Sequence, residues 1–369
     1  MSRKHRKVRV AAFNGMPVLP MNKKATTEKA CHIIEEAGKQ DVQLVVFPEG
    51  FIPLFPNWSM DLRREREWSD LLTTMIIEGV EVPGEETRAL GEACKKAGVY
   101  VCMGVNEVVP IYQGVLYNSL IFINPKGELI GHHRKLTPSH RERVLHMRGT
   151  HEDLFHVVET DIGRIGGLIC YEHLQPLFKY SLMMQGEEIH CACWAGWPHF
   201  GPGKRSNKPV DDYASRCYAL EAACFVVLAA PWMEPKLREK AERTKFAGME
   251  NAHWGFIGGS GVINPIGEYV AGPEEEREGL VIADIDLDDI IRRKCYIDPV
   301  GKDSRWDCVR LDLGPGPMIP TTAGFPKVRR EDEAAAALAQ RKDQAVQELE
   351  GEVARLKAEL SALKKGQED

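Results

Sequence analysis

The sequence of 369 residues lacks the features of several large classes of protein. No apolar run approaches the roughly 20 residues that a membrane-spanning helix needs. Acidic residues outnumber basic ones by 54 to 48, so there is no overall positive charge to attract nucleic acid. The basic residues 1–7 lead into only a short strand-like run, and we interpret them as a solvated arm rather than a signal peptide. We therefore expect neither a membrane nor a nucleic-acid partner.

Metal-binding and disulfide patterns are also absent. The 12 histidines include the pair at 132–133 but no His-Glu-x-x-His helix. Of the 10 cysteines, Cys191 and Cys193 lie close together, but they have neither zinc-finger spacing nor a second pair. Most of the cysteines fall within apolar helix or strand patterns, which is typical of reduced cytosolic proteins. We therefore predict a cytoplasmic protein with no metal and no disulfide framework.

Residues 8–293 alternate between strand-like and helix-like patterns. Short continuous apolar runs, such as 44–47, predict strands that are buried on both faces. Apolar residues at helical spacing predict helices, the first of them capped by Thr26 or Thr27. Residues 51–68 are rich in aromatic residues and proline. They predict an ordered loop, which is either a lid packed on the core or one wall of a substrate pocket.

Two predicted hairpins interrupt the alternation of strands and helices. Each is built around an Asn-Pro-x-Gly turn, at residues 124–127 and 264–267. A purely parallel, doubly wound sheet would not need them. Each half of the chain holds one such strand–turn–strand unit. We therefore predict an α/β fold in which two mixed sheets pack together and carry helices on their outer faces.

One segment places a reactive residue at the end of a buried strand. Residues 166–169 are small or apolar, and Cys170 follows them where helix-like spacing begins. Such a side chain projects from a rigid sheet edge, where α/β enzymes place nucleophiles. A single cysteine is more often a small core residue. However, Glu49 and Lys135 also come directly after strand-like runs, and the three residues are candidates for one catalytic site.

Three segments in this order resemble the Glu–Lys–Cys signature of the nitrilase superfamily, and in particular its nitrilase branch. They are Phe-Pro-Glu at 47–49, His-Arg-Lys-Leu-Thr-Pro at 133–138 and the segment with Cys-Tyr-Glu-His at 168–177. The resemblance extends over residues 6–312. It implies a four-layer α-β-β-α sandwich, a small-molecule nitrile substrate, no metal and no organic cofactor. It also implies a homodimer that builds larger homo-oligomers or spirals.

The resemblance gives each candidate residue a role. Cys170 corresponds to the nucleophile, and Lys135 to the cation that stabilises the developing charge. Glu49 corresponds to the general base, and Glu142 to a second glutamate that positions the lysine. A thiol with an ordinary pKa of about 8.5 supplies little thiolate near neutrality. An adjacent base and cation are therefore the groups that this chemistry needs.

Aromatic residues close to these segments are candidates for binding the substrate. The position after the cysteine is commonly Trp in nitrilases and is Tyr171 here, which changes the size of the pocket and adds a hydroxyl group. Trp58, in the aromatic loop, and Trp194, the last residue of a predicted strand, are further candidates. Trp197 lies in the aromatic segment that follows and either shapes the pocket or is simply buried.

The C-terminal residues differ in composition from the rest of the chain. Residues 313–330 have little periodicity and much proline and glycine, and we predict an extended tail. Residues 331–369 predict a helical segment, since their apolar residues are spaced alternately three and four apart as in a coiled coil. Gly351 interrupts this pattern. A single helix docked on its own domain and a self-associating helix both remain open.

Three functions are consistent with these observations. The first is a nitrilase that hydrolyses an organic nitrile to the carboxylic acid and ammonia through cysteine thioimidate and thioester intermediates, with some amide as a by-product. The second is an amidase or carbamoyl-type hydrolase that uses the same triad. The third is a non-catalytic assembly protein. The C-terminal segment favours this third function, whereas the intact Glu49, Lys135 and Cys170 argue against it.

Overall fold

The computed structural model describes residues 6–60, 65–153, 156–196, 210–237, 239, 256–309, 311, 313 and some residues between 347 and 357. The chain divides into two units, Met1–Leu313 and Gly314–Asp369. Apart from Leu313, the predicted extended tail lies outside the described residues. The described residues between 347 and 357 are helical.

The first of two sheets has six strands. They are β1 (Lys7–Asn14), β2 (Leu44–Val46), β3 (Tyr100–Val108), β4 (Leu116–Ile123), β5 (Leu129–Arg134) and β12 (Gly279–Asp286). Their order across the sheet is β12-β1-β2-β3-β4-β5. The strands β1, β2 and β3 run parallel, with Val10 opposite Leu44 and Val46 opposite Cys102. The other strand pairs are antiparallel, so the sheet is mixed.

The second sheet repeats this arrangement. Its strands are β6 (Val158–Thr160), β7 (Gly163–Ile169), β8 (Ile189–Cys193), β9 (Phe225–Ala229), β10 (Ser260–Ile263) and β11 (Tyr269–Glu274). They lie in the order β11-β10-β9-β8-β7-β6. The strands β7, β8 and β9 are parallel, and both Asn-Pro-x-Gly turns join antiparallel pairs. Each half of the chain therefore builds one sheet.

Six helices that have both ends inside the described ranges accompany the sheets. They are α1 (Lys23–Gly38), α2 (Glu65–Ile77), α3 (Glu85–Ala97), α4 (Pro176–Met184), α5 (Val210–Ala222) and α6 (Asp288–Lys294) among the described residues. Side chains alternate along β1, because successive residues of a strand point to opposite faces. Val10 belongs to the core between the sheets, and Ala11 to the core under α1 and α3. With Tyr218 of α5 packed on the second sheet, the predicted four-layer α-β-β-α sandwich is confirmed.

Two details of the predicted secondary structure were wrong. The cap of α1 is Asn22, whose side-chain oxygen accepts a hydrogen bond from the Ala25 amide at 2.8 Å, while Thr26 and Thr27 lie inside the helix. The last four residues of the predicted loop 51–68 are the beginning of α2. The apolar residues of that helix continue beyond the aromatic segment, and Met75 packs in the same cluster as the aromatic loop.

The fold delivers the candidate residues from both sheets. Glu49 follows β2 and Lys135 follows β5 in the first sheet, and Cys170 follows β7 in the second. Since the two sheets pack face to face, residues that leave these strands can meet. No helix within the described ranges is long and apolar enough to span a membrane.

Candidate active site

The centre of the site is the ammonium group of Lys135, whose side chain has no exposed surface. Its Nζ donates to Glu49 Oε1 at 2.7 Å and to Glu142 Oε2 at 2.8 Å. Asn118, on β4, donates from Nδ2 to Oε1 of each glutamate at 2.7 Å. The structure thus brings together three of the four predicted catalytic residues. Asn118 was not predicted, although an amide in the middle of an apolar strand is an unusual residue that could have indicated it.

Glu142 is held from several sides at once. It lies in the 3-10 helix His140–Val144, and its Oε2 accepts hydrogen bonds from the amide of Ser139 at 2.9 Å and from its hydroxyl at 3.2 Å. His146 Nδ1 lies 3.2 Å from Oε1. These contacts fix the carboxylate against Lys135, which is the arrangement that a positioning glutamate requires.

The pKa values of Glu49, Glu142 and Lys135 are shifted to different extents. Burial raises the pKa of Glu49 to about 7, against the opposing effect of Lys135. Burial also opposes ionisation of Glu142, but Lys135 and His146 hold its pKa well below the ordinary value. For Lys135, burial alone would lower the pKa, whereas Glu142, Glu49 and Cys170 raise it well above the usual range. At neutral pH the site therefore holds a stable ion pair and a second carboxyl group close to its titration midpoint.

Glu49 has one oxygen that its neighbours do not use. Its Oε1 accepts from both Lys135 and Asn118, while its Oε2 is buried without a hydrogen-bond partner among the described residues. A buried acceptor without a hydrogen-bond partner reduces the free energy of unfolding, and a catalytic role is one reason why a protein retains such an atom. Oε2 is the atom that can take up a proton.

Cys170 begins the 3-10 helix Cys170–Leu174, directly after β7. Its side chain is buried, and its backbone has φ of 50°, a region that residues with a side chain rarely occupy. The negative charge of an ionised Cys170 side chain is one of the causes that raise the pKa of Lys135. The thiol is therefore within electrostatic reach of the ammonium group.

Glu172 joins the lysine and cysteine segments. Its fully buried carboxylate accepts from the amide of Leu136 at 2.9 Å and from the amide of Ile169 at 3.0 Å, and His133 Nε2 lies 3.1 Å from it. One carboxylate thus fixes the residue after Lys135 and the residue before Cys170. Glu172 lies in the third of the segments that resemble the nitrilase signature, but no role was predicted for it.

The predicted aromatic residues lie in different surroundings. Tyr171 is half-buried beside the core between the sheets. Trp194 is fully buried, and its carbonyl oxygen accepts from the amide of Glu49 at 3.2 Å. Trp58 packs edge-on against Trp68 with ring centroids 6.0 Å apart. The contact of Trp194 with Glu49 is made by the main chain, while its indole Nε1 donates to the Ser215 hydroxyl at 3.2 Å. Trp197 lies outside the described residues.

Within the part of the chain that the structure describes, no group of three or more His, Cys, Asp or Glu side chains is arranged to hold a metal ion. The Cys102 and Cys193 sulfur atoms lie 3.8 Å apart in the core between the sheets. Burial raises the pKa of Cys102, which makes that thiol a poor metal ligand.

Comparisons with known proteins agree with this fold. The sequence pattern of the carbon-nitrogen hydrolase family matches residues 9–294. A nitrilase of Penicillium rubens is 32% identical over 326 residues, which cover 85% of this chain and 95% of that protein. A cyanide hydratase of Botryotinia fuckeliana is 33% identical over 293 residues, which cover 78% and 77%, respectively.

A solved structure shows the same fold. Saccharomyces cerevisiae Nit3, described as a member of branch 10 of the nitrilase superfamily, superimposes with a TM-score of 0.63 and 22% identity. The match covers 81% of this chain and 96% of the yeast chain. Sandwich and sequence matches together define a member of the nitrilase superfamily. The chain belongs to the carbon-nitrogen hydrolase family, and it is a nitrilase-type hydrolase.

Proposed function

We propose that the protein hydrolyses an organic nitrile to the carboxylic acid and ammonia, with Cys170 as the nucleophile. The observation that carries this proposal is the buried ammonium of Lys135 between two glutamates of unequal pKa, one of which has a free oxygen. Addition to a nitrile needs a base that takes the thiol proton and a cation beside the nitrogen that gains charge. Glu49 and Lys135 supply these two groups.

In the first step, Glu49 Oε2 takes the proton of the Cys170 thiol, and the sulfur forms a bond to the nitrile carbon. One C–N π bond breaks, and its electron pair moves to nitrogen beside the Lys135 ammonium group. Glu49 returns its proton to that nitrogen, and the product is a neutral thioimidate. Glu142 keeps Lys135 in place during this step, because its own carboxylate stays ionised.

Water then adds to the thioimidate carbon, with Glu49 again as base, and forms a tetrahedral centre that carries OH, NH2 and the sulfur. Once protonated, the nitrogen leaves as ammonia, and an acyl-thioester remains. A second water releases the carboxylic acid and restores the thiol. If sulfur leaves the tetrahedral centre instead, the product is the amide. Two waters are consumed for each acid, and one for each amide.

The test is a panel of aliphatic, arylaliphatic and aromatic nitriles together with cyanide, scored for acid, amide and ammonia. Cys170→Ala should abolish turnover, because alanine cannot form the covalent intermediate. The matched control is Cys94→Ala, which removes an equally buried thiol in the core under α3 and should leave turnover intact. Nitrile hydrolysis that persists in Cys170→Ala would disprove the proposal. A clear preference for the matching amide over the nitrile would instead indicate an amidase.

A further inference from the structure

Four buried polar side chains extend from the main chain of Cys170 into the second sheet. His173 Nδ1 lies 2.8 Å from the Cys170 carbonyl oxygen, and His173 Nε2 lies 3.0 Å from His190 Nε2. His190 Nδ1 lies 2.8 Å from Glu187 Oε1, and the Tyr218 hydroxyl donates to Glu187 Oε2. All four residues are buried. The reaction described above uses none of them.

In this series of side-chain hydrogen bonds, the donors and acceptors can be assigned in one way. A carbonyl oxygen only accepts, so His173 donates from Nδ1 to Cys170. Burial and the neighbouring His190 hold the pKa of His173 well below its ordinary value, so the ring is neutral and its Nε2 is an acceptor. His190 must then donate from Nε2. A single proton is left between His190 Nδ1 and Glu187 Oε1.

The rings are fixed in direction as well as in hydrogen bonding. The His173 ring stacks on Trp194 with centroids 4.9 Å apart and planes at 24°. The His190 ring stacks on Tyr218 at 3.8 Å and 22°. Gly166 leaves the space that Glu187 Oε1 occupies, because a side chain there would overlap that oxygen. The chain from Tyr218 to Cys170 therefore has little freedom to move.

Its end point is the strained residue of the site. A backbone at φ of 50° in a residue other than glycine costs about 1–3 kcal/mol and persists only where the surroundings hold it. The amide before Cys170 is held by Glu172, and its own carbonyl by His173. Apolar residues of similar volume often stabilise a fold as well as a buried polar network does. They offer no donor to the Cys170 carbonyl oxygen, however, and His173 does.

We propose that His173, His190 and Glu187 are positioning residues that hold the main chain of Cys170 in its strained conformation and thereby aim its thiol at the substrate. This inference rests on the proposed role of Cys170 as the nucleophile. None of the three residues is a catalytic residue, since they act through the carbonyl group of Cys170. They are expected to affect kcat more than KM.

The first test compares His173→Leu with His173→Asn. The Asn amide nitrogen can take the place of His Nδ1 and donate to the Cys170 carbonyl, whereas Leu cannot. We expect Leu to lower kcat about 10²-fold with KM little changed, the loss that a displacement of about 1 Å produces. Asn should recover at least about a tenth of the wild-type kcat, because it restores the donor at the reacting end of the chain.

The second test compares Glu187→Leu with Glu187→Gln. Gln can donate to His190 Nδ1 and accept from Tyr218, so the same hydrogen bonds can form with a side chain that carries no charge. We expect Gln to keep kcat within about threefold of wild type, and Leu to lower it by about tenfold or more. The alkylation rate of Cys170 by iodoacetamide, with Cys170→Ala as the background for the other cysteines, should fall in parallel with kcat.

Thermal unfolding of each variant separates positioning from folding. Leu variants that fold and keep wild-type kcat would overturn the proposal, as would Asn and Gln variants that lose as much kcat as the Leu variants. If neither Leu variant folds, the Asn and Gln variants decide, and a folded variant of either kind with kcat below about a thirtieth of wild type contradicts the proposal. Turnover by Cys170→Ala would instead reject the nucleophile on which this inference rests.

Discussion

At the scale of single residues, the charge balance around Lys135 explains the chemistry of Glu49. The ammonium group and the Glu142 carboxylate neutralise each other within a site that excludes solvent. A second ionised carboxylate adds a net negative charge there, which burial disfavours. The pKa of Glu49 therefore rises to about 7, although its Oε1 accepts from Lys135. A base with this pKa accepts and returns a proton readily at neutral pH.

This pKa predicts a pH dependence of the rate. Glu49 acts as a base only when it is ionised, so kcat/KM should fall by about tenfold per pH unit below pH 7 and level off above it. The pKa of Lys135 is raised well above its ordinary value, so no loss from the lysine is expected near neutrality. The measurement is kcat/KM, which reports on ionisation of the free enzyme, from pH 5 to 9, about two pH units on either side of the Glu49 midpoint.

Glu49→Gln should lower kcat/KM by about 10²–10⁴-fold and remove the step near pH 7. The matched control is Glu35→Gln on α1, which removes a partly exposed carboxylate paired with Lys96 at 2.8 Å. That control should keep the wild-type profile. If the step persists in Glu49→Gln, it belongs to a different group.

At the scale of elements, the site depends on how the ends of β5 and β7 are held together. Leu136 follows β5, Ile169 ends β7, and the amides of both donate to the carboxylate of Glu172. Local sequence cannot bring these two amides together, because they belong to different sheets. This clamp, which is the Glu172 carboxylate and the two amides that it binds, fixes the position of Lys135 relative to Cys170.

Glu172→Gln should separate the effect of Glu172 on the position of Lys135 and Cys170 from its effect on the stability of the fold. The amide nitrogen of Gln cannot accept, so one of the two backbone donors loses its partner, at a cost of about 1–3 kcal/mol in the free energy of unfolding. We also expect kcat to fall by about 10-fold or more, because the clamped residues flank Lys135 and Cys170. Denaturant unfolding and steady-state kinetics on the same protein measure the two effects.

Glu188→Gln is the matched control for the clamp. Glu188 is another buried carboxylate and lies directly before β8, and it accepts from the amide of Arg164 at 3.0 Å and from Arg6. Arg164 lies near the start of β7, at the opposite end from Ile169. This variant should lose stability and keep kcat. An equal loss of kcat in both variants would mean that Glu172 acts only on the stability of the sheet.

At the scale of the whole molecule, two features support assembly beyond a monomer. The helices α4 and α5 expose large apolar side chains, among them Leu177 at 65% and Tyr213 at 54% of their surface. The described residues between 347 and 357 are helical and expose Leu349, Val353 and Leu356, which belong to the predicted coiled-coil seam. Exposed apolar surface of this kind favours association.

We predict that light scattering will give a mass larger than the 41.4 kDa of one chain. Removal of residues 331–369 should shorten the assemblies if the C-terminal helix takes part in them. Leu349→Asp is the matched variant of full length, since it places a charge in the seam and should act in the same direction. A monomeric mass for the wild type would contradict the prediction. Unchanged assemblies in both variants would show that the C-terminal segment has no part in assembly.

The order and kind of the secondary-structure elements could be predicted because they depend on local pattern. The continuous apolar run that became β2 and the two Asn-Pro-x-Gly turns carried enough information for two mixed sheets. The cap of α1 was misplaced, since several residue types near its start can accept the same hydrogen bond. Helix α2 was missed, because it begins within the segment 51–68, whose aromatic composition resembled that of a loop.

The sequence by itself determined the candidates for catalysis, because Glu49, Lys135 and Cys170 each stand where a strand-like run ends. Only the tertiary structure decided how these residues are held. Lys135 contacts a glutamate 86 positions away, and Asn118, Glu172 and the pair of His173 with His190 acquire their roles through contacts between elements that are separated in the sequence. Such contacts follow from sheet packing and burial rather than from local preference, and burial is also what raises the pKa of Glu49 toward neutrality.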